Sequence, residues 1–290
     1  MSYVKWGSNL QLGVPFIDSD HRVLVRLLNQ VHDCINDNEE TTVLGSVIAS
    51  LADYTNFHFQ REERFQEFSD YSSLAQHQQS HIQFAEKVVA YKTGFFADPQ
   101  NFSAGELLDF LSTWLKEHIL GEDAELCGKC AGNEKAIIAA TDITLGTSDL
   151  IDWSSKKILV VDDNPNFQRL LTTILKAGGI VNIQVASDPY SALDKLARRP
   201  VDVILSDVLM DGMNGGQLAS AAFKINPKIK VIFVSGLDKD GVWKQTNGVS
   251  GDAILEKPIT PHALFKTIAT VLINAAPTVP SDWPQKAANF

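Results

Sequence analysis

The chain has 290 residues, of which 44% are hydrophobic and 21% charged, and its formal net charge is −10. This composition excludes a disordered, collagen-like or low-complexity chain and fits one large or two ordinary globular domains. The sequence has neither a run of about 20 apolar residues nor an apolar signal segment, and it has only three cysteines. We therefore expect a cytoplasmic protein with reduced thiols and no membrane partner.

The acidic charge lies in the first half of the chain. Residues 1–130 carry nine Lys and Arg against 19 Asp and Glu, whereas residues 151–290 carry 15 against 13. Neither half offers the basic surface that phosphate backbones require, so no nucleic-acid partner is expected. The asymmetry indicates two separately folded units.

Four amphipathic helices are predicted between Asp18 and Cys127, because apolar residues recur there at spacings of three and four. The first helix is predicted to open at Asp18-Ser19-Asp20, which resembles an acidic cap. Short polar segments join the helices, so we predict an all-α, up-down-up-down four-helix bundle over residues 1–130. Residues 131–155 are predicted to be a linker with some helical character.

Five short β-branched runs alternate with helical patterns from residue 156 onward. This alternation predicts an α/β doubly wound, flavodoxin-like sheet of five parallel strands over residues 156–275. The last segment, residues 276–290, contains three prolines and is predicted to be disordered. The predicted strands are residues 158–161, 182–185, 201–205, 231–234 and 253–255.

Five of the seven histidines lie on the inward stripes of the predicted helices, where packing favours leucine. Buried imidazoles are costly unless their nitrogens have partners, and a shared metal ion satisfies several at once. His58 and Glu62 are four residues apart on one helix face, as are His77 and His81, which lets two side chains of one helix reach one ion. With Asp123 as a second carboxylate, the set suits two bridged ions of iron, manganese or zinc, and the four-helix setting favours a di-iron centre.

The spacing of these residues follows a set of motifs in the first half. They are Trp6, Leu12-Gly13-Val14 with Ile17-Asp18-Ser19-Asp20-His21, His58-Phe59-Gln60-Arg61-Glu62-Glu63, His77-Gln78-Gln79-Ser80-His81, and Trp114-Leu115-Lys116-Glu117-His118-Ile119 with Asp123. With these motifs residues 1–127 resemble the hemerythrin family. The resemblance implies two non-haem iron ions, bridged by carboxylates, and an open position on one of them where dioxygen binds end-on. The implied ligands are His77, His81 and His118 for one iron, His21 and His58 for the other, and Glu62 and Asp123 as bridges.

The second bridging position is open to an alternative. Asp123 follows His118 by five residues and lies about 140° off its stripe, so the helix must distort or the side chain must reach. Glu122, four residues after His118, is the competing ligand, and the family pattern favours Asp123. Asp20 stands where the family more often has Gln or Glu.

Some chemistry-bearing residues fall outside these motifs. The spacing of Cys127 and Cys130 fits a redox pair or half of a zinc site. Because the chain has no second pair of this kind, we favour unligated thiols. His32 and His262 match no part of the pattern and are predicted to be surface residues.

Polar side chains follow the predicted strands of the second half. Asp162 and Asp163 end the first strand, Asp207 ends the third, Ser235 ends the fourth, and Lys257 follows the fifth. Because the carboxyl ends of parallel strands face one crevice, these side chains are expected to converge. Three carboxylates repel one another unless a cation joins them, and Mg²⁺ is the hard, oxygen-seeking choice. The lysine and the hydroxyl complete a site for a phosphoryl group.

Residues 156–275 resemble a response-regulator receiver domain over their whole length. The resemblance implies that Asp207 is the phospho-acceptor, that Lys257 grips the phosphate through a loop with a cis peptide before Pro258, and that Ser235 is the switch hydroxyl. The implied Mg²⁺ ligands are Asp162, Asp163, Asp207 and the Leu209 carbonyl.

Two positions depart from the receiver pattern. Asp211 stands where the family usually has proline, and Ile254 stands where an aromatic switch residue usually lies. The acid-pocket chemistry is expected to survive both changes, whereas the usual coupling between the hydroxyl and the aromatic rotamer is affected.

The two resemblances together imply a two-component signal-transduction protein rather than an enzyme. A histidine kinase or phosphotransfer protein would phosphorylate the receiver, and the di-iron domain would bind dioxygen. The bundle is either the input that modulates phosphotransfer or the output that phosphorylation regulates, and reversible ligand binding favours the input. The alternatives are an oxygen storage or delivery protein localised or regulated by its receiver, and an enzyme that reduces peroxide or nitric oxide. No particular oligomeric state follows from the sequence.

Overall fold

The computed structural model describes residues 3–37, 39–145 and 150–273. It forms two compact units, Met1–Leu145 and Gly146–Phe290. The predicted disordered segment, residues 276–290, lies outside the described residues. Within the described ranges, every helix is too short or too polar to serve as a membrane span.

The first unit is helical, which confirms the predicted fold class. Its interior is filled by apolar side chains from each long helix, such as Leu28, Leu51, Phe84 and Leu111, so each helix buries one stripe. The long helices are α1 (Pro15–Asn36), α2 (Thr41–Phe68), α3 (Leu74–Ala97) and α4 (Ala104–His118).

Helix α1 begins earlier than the sequence predicted. Its first residue is Pro15, whose missing N–H costs nothing at this position. The Asp18 carboxylate accepts hydrogen bonds from the backbone N–H groups of Leu12 (2.7 Å) and Gly13 (3.1 Å), the latter with a φ of 83°. Asp18 therefore holds the preceding turn against the helix, and Asp20 lies inside the helix, where it is buried.

Three shorter elements follow α4. A π-helical segment, Ile119–Asp123, continues into α5 (Ala124–Cys130), and α6 (Glu134–Thr141) comes after a short turn. Helix α6 packs against α2 and buries Ala136 and Ala140. The structure thus puts part of the predicted linker, residues 131–155, into the first unit. Helix α6 has only eight residues and buries small side chains, so it produces no strong periodic pattern in the sequence.

The second unit contains the predicted five-stranded parallel sheet. The strand order is β2-β1-β3-β4-β5. The third strand begins at Val203, two residues later than predicted, and the Asp202 carboxylate just before it accepts a hydrogen bond from the Lys157 N–H (2.8 Å) at the start of β1. The strands are β1 (Lys157–Val161), β2 (Asn182–Ala186), β3 (Val203–Asp207), β4 (Lys230–Ser235) and β5 (Ala253–Glu256).

Helices follow the strands of this unit and cover the sheet. The central strands β1, β3 and β4 are almost wholly buried, as expected for a parallel sheet packed on both faces. Their carboxyl ends form one edge, which carries the acidic residues. The helices are α7 (Pro165–Ala177), α8 (Pro189–Arg198), α9 (Gly215–Ile225), α10 (Lys239–Gln245) and α11 (Pro261–Ile273).

Candidate metal centre and acid pocket

The seven predicted iron ligands lie together inside the helical bundle. Each of the four long helices contributes at least one histidine, and the π-helical segment contributes the second carboxylate. All seven side chains are at most 3% exposed. They form two groups of mutually close donor atoms: Glu62, His77, His81 and His118 in one, and His21, His58 and Asp123 in the other.

Three imidazoles converge in the first group. The Nε2 atom of His118 is 3.3 Å from Nε2 of His77 and 3.1 Å from Nε2 of His81. The same nitrogen of all three rings therefore points at one small volume. A single cation among the three nitrogens would satisfy them together.

The two carboxylates lie between the groups. One oxygen of Asp123 is 3.1 Å from Nε2 of His21, and its other oxygen is 3.0 Å from Nε2 of His118. Oε2 of Glu62 lies 3.3 Å from Nε2 of His58 and 3.6 Å from Nε2 of His81, and its Oε1 lies 3.5 Å from Nε2 of His77. Each carboxylate thus faces both groups, which is the placement required of a bridge between two ions.

The π-helical segment explains how Asp123 reaches the interior. Its wider turn brings residues five apart to neighbouring positions, so the helix distorts after His118 as its sequence spacing requires. Asp123 is fully buried, whereas the side chain of Glu122 is 39% exposed and approaches Nδ1 of His118 (2.9 Å) from outside. The structure brings Asp123, and not Glu122, between the two groups.

The outer nitrogens of the imidazoles face polar side chains. Nδ1 of His81 is 2.9 Å from a Glu63 oxygen, and Nδ1 of His77 is 2.9 Å from the Gln66 amide. Such partners fix the ring orientation and leave Nε2 directed inward. The sequence analysis did not assign Glu63 or Gln66 to the site; their positions one and four residues after Glu62, on the same helix, were the available signal.

Burial and neighbouring charges shift the pKa values of the histidines and carboxylates in the cluster. Burial disfavours the charged forms, but Asp123 outweighs burial and raises the pKa of His118 well above its ordinary value. In turn His118 holds the pKa of Asp123 well below its usual range despite burial. Burial lowers the pKa of His81, which its contact with Glu63 only partly opposes. His118 and Asp123 therefore each favour the charged form of the other.

The buried donor atoms fit a metal pair. Among the described residues, both oxygens of Glu62 and Asp123 and both ring nitrogens of His21 and His58 are buried without a hydrogen-bond partner. Unpaired buried polar atoms are costly, and here they are the atoms that face one another. Imidazole with carboxylate is a donor set that suits iron.

Aromatic rings enclose the imidazoles. Trp114 stacks on His118 with ring centroids 4.2 Å apart, and Phe59 stacks on His81 at 3.7 Å. One helical turn from the histidines is a small apolar cavity of about 10 Å³, lined in part by Leu24, Phe84 and Trp114. The cluster is therefore shielded from bulk water on its aromatic side.

The remaining histidines and the cysteine pair lie outside the cluster. His32 is partly buried and stacks on Tyr3, whereas His262 is exposed. Cys127 and Cys130 are buried in an apolar cluster and form no disulfide. Burial raises the pKa of the Cys127 thiol, which disfavours the thiolate required for metal binding or exchange.

The second unit carries the predicted acid pocket at the carboxyl ends of its strands. Lys257 Nζ lies 3.5 Å from an Asp162 oxygen and 3.6 Å from an Asp207 oxygen, so one lysine joins the two acidic strand ends. Burial raises the pKa of Asp162 to about 6, although Lys257 opposes the shift. Burial also raises the pKa of Asp207. The Lys257–Pro258 peptide bond is cis.

The other predicted members of this pocket are less tightly assembled. Asp163 is exposed and lines an open cleft together with Leu209 and Asp211. Ser235 is buried at the end of β4, where its hydroxyl accepts a hydrogen bond from the Leu237 N–H (3.1 Å). Ile254 packs against the apolar core.

Comparison with known proteins gives a match for each unit. Residues 12–130 match the family model "Hemerythrin HHE cation binding domain", and residues 158–269 match "Response regulator receiver domain". A bacteriohemerythrin of Clostridium acetobutylicum is 31% identical over 123 residues, which are 41% of this chain and 95% of that protein.

The second unit has relatives of its own. The transcriptional regulatory protein GlrR of Escherichia coli is 33% identical over 128 residues, which are 43% of this chain and 28% of that protein. The chemotaxis response regulator CheY4 of Vibrio cholerae, a solved structure, is 27% identical and covers 40% of this chain and 98% of its own, with a TM-score of 0.38. The chain belongs to the hemerythrin family, and in it a response-regulator receiver domain follows the hemerythrin domain.

Proposed function

We propose that this chain is a two-component signalling protein whose hemerythrin domain binds dioxygen at a di-iron centre and whose receiver accepts a phosphoryl group at Asp207. In this proposal one iron is held by three histidines and the other by two, with two carboxylates shared. The ligands are His77, His81 and His118 for the first iron, His21 and His58 for the second, and Glu62 and Asp123 as bridges.

The observation that carries the proposal is the placement of Glu62 and Asp123. Each is fully buried, and each lies 3.0–3.6 Å from imidazole nitrogens of both donor groups. Seven buried donors arranged in this way are costly for a protein without a metal and favourable for one with two ions.

The two donor groups differ in a way that supports ligand binding at one of them. The first group offers three imidazoles and the second only two, so the second ion has fewer protein ligands and a position left for a small molecule. When bound, a di-iron centre of this kind supplies reversible binding of dioxygen. The chain's own contribution is an apolar surrounding, including Leu24 and Trp114, which line the small apolar cavity one helical turn from the histidines.

The receiver chemistry follows from the acid pocket. A carboxylate oxygen of Asp207 attacks the phosphorus of a phosphohistidine on the partner kinase or phosphotransfer protein. A P–O bond forms, the P–N bond breaks, and the released imidazole takes up a proton. Lys257 is close enough to pair with the transferred phosphoryl group, and Ser235 contributes a hydroxyl at the same edge. Mg²⁺ held by Asp162, Asp163, Asp207 and the Leu209 carbonyl would neutralise the charge that develops during transfer.

The test is the lifetime of the phosphorylated receiver in the full-length chain. It is measured in metal-free, ferrous and dioxygen-exposed protein, with iron content determined in parallel. A lifetime that changes with the state of the bundle supports sensing, because the two domains then share a coupling free energy. Equal lifetimes with stoichiometric, reversible dioxygen binding would contradict sensing and favour storage, and catalytic consumption of peroxide or nitric oxide would favour an enzyme.

A further inference from the structure

Helix α6 is held on the hemerythrin domain at both of its ends. At its start, Asn133 donates a hydrogen bond from its side-chain amide to the Phe68 carbonyl (3.0 Å) and caps the helix by accepting one from the Ala136 N–H (3.2 Å). At its end, the Ala140 carbonyl accepts a hydrogen bond from Nε of Arg61 (3.3 Å). In the sequence α6 lies between the bundle and the receiver.

Arg61 also binds a carboxylate beside the metal centre. Its Nη1 donates to both oxygens of Asp20, at 2.8 and 2.9 Å, while Nε is used for Ala140. The guanidinium lies against the rings of Phe16 and Phe57, 5.0 and 5.2 Å from their centroids. These contacts hold the arginine in one place. Only a guanidinium, whose several N–H donors point in fixed directions, can bind Asp20 and the Ala140 carbonyl at once.

Asp20 in turn faces a predicted iron ligand. It is 2% exposed, and its Oδ2 lies 3.7 Å from Nδ1 of His58. The Tyr54 hydroxyl donates to its other oxygen (3.0 Å). Asp20 is therefore the polar group behind His58, and Arg61 is what balances its charge.

We propose that Asp20 and Arg61 are positioning residues that orient His58 and tie the docking of α6 to occupancy of the metal centre. The inference rests on the proposed iron binding and goes beyond it. With an ion bound by the cluster, His58 would be held with its Nδ1–H directed at Asp20. Asp20 is then held against Arg61, and Arg61 keeps its hydrogen bond to α6. Without the ion, His58 would lose this restraint, and we expect the contact to α6 to open more often.

The experiment measures hydrogen exchange of the α6 amides in the full-length chain, with and without ferrous iron. We expect iron to slow this exchange by about tenfold, the effect of one hydrogen bond from a charged group. In Arg61→Lys the ammonium nitrogen can still pair with Asp20. The lysine has no second donor nitrogen that could bind the Ala140 carbonyl at the same time. The iron dependence of α6 exchange should then disappear while two irons still bind.

Further variants separate positioning from simple loss of structure. Asn133→Ala loosens the other end of α6, so it should speed exchange equally with and without iron. Arg64→Lys alters an exposed arginine on the same helix and should change nothing. Asp20→Asn should shift the visible spectrum of the iron-loaded protein, because it changes the group that faces His58.

The outcomes distinguish this inference from the proposed function. If iron does not bind, the proposed function fails. If two irons bind but α6 exchange is the same with and without them, or if Arg61→Lys keeps the full iron dependence, the positioning role is overturned and the proposed function stands.

Discussion

The two sites of this chain surround their acidic groups with different partners. In the hemerythrin domain, Glu62 and Asp123 are fully buried and alternate with imidazoles from four helices. In the receiver, Asp163 is exposed, and Asp162 and Asp207 are joined by a lysine at the open edge of a sheet. In the interior site imidazoles lie between the carboxylates, whereas in the edge site a lysine lies between the two acidic strand ends.

The strongest test of this contrast removes two imidazoles from the interior site. We expect His77→Ala with His81→Ala to abolish stoichiometric iron uptake, because the first donor group keeps only one imidazole. Iron is measured after anaerobic loading with ferrous salt and removal of excess. His32→Ala, which lies outside the cluster, is the control and should bind two irons. Normal uptake by the double variant would refute the assigned ligand set.

At the edge site the corresponding change is Asp207→Asn. It should abolish phosphoryl incorporation, since an amide cannot take the place of the attacking carboxylate. Incorporation of labelled phosphate from a small phosphodonor measures the effect, and iron content should be unchanged. Asp194→Asn, at an exposed position on α8, serves as the matched control. Residual labelling of Asp207→Asn at the normal rate would show that another residue is the acceptor.

A third change tests how far the buried Asp162 carboxylate destabilises the folded receiver when Mg²⁺ is absent. The pKa of Asp162 is about 6 in the folded receiver, against an ordinary 3.8. Between about pH 4 and about pH 6 the folded receiver therefore keeps a proton on this carboxyl that the unfolded chain has lost. Stability should therefore fall as the pH rises from about 4 to about 6 and stay reduced above this window. Asp162→Asn removes this penalty and should stabilise the Mg²⁺-free receiver at pH 7 by about 2–3 kcal/mol.

The measurement is urea unfolding of the full-length chain, followed through hydrogen exchange of β1 and β3. Added Mg²⁺ should stabilise the unchanged receiver more than the variant, because the variant lacks one of its proposed ligands. A variant that is no more stable than the unchanged chain at pH 7 and equally stabilised by Mg²⁺ would contradict the role assigned to Asp162.

The close approach of the seven donor residues could be expected from the sequence because their pattern is unusual. Histidines on apolar stripes are rare, and their spacing on each helix brought the seven residues to one layer. The receiver edge was predictable for a related reason, since the ends of parallel strands meet by topology alone. Helical periodicity in the first case, and position at a strand end in the second, were enough to bring together residues that are distant in the chain.

The parts that sequence reasoning missed depend on packing between elements. Helix α6 is short and buries only small side chains, so it was predicted as part of a linker. The role of Asp20 depends on Arg61, 41 residues away, and no local pattern identifies that pair. The start of α1 was misplaced because Asp18 bonds back to a turn rather than capping the helix.

The smallest expected effect separates the two acidic residues after His118. Glu122 lies 2.9 Å from the outer nitrogen of His118 and 3.8 Å from Nε2 of His77, and its side chain is 39% exposed. Glu122→Gln should therefore weaken iron binding by about tenfold, as expected for a residue behind a ligand. Asp123→Asn should cause a much larger loss, because its two oxygens face both donor groups. Competition with a chelator gives both affinities. If the order were reversed, the π-helical turn would have no role in ligand placement, and the interior site would be built around Glu122.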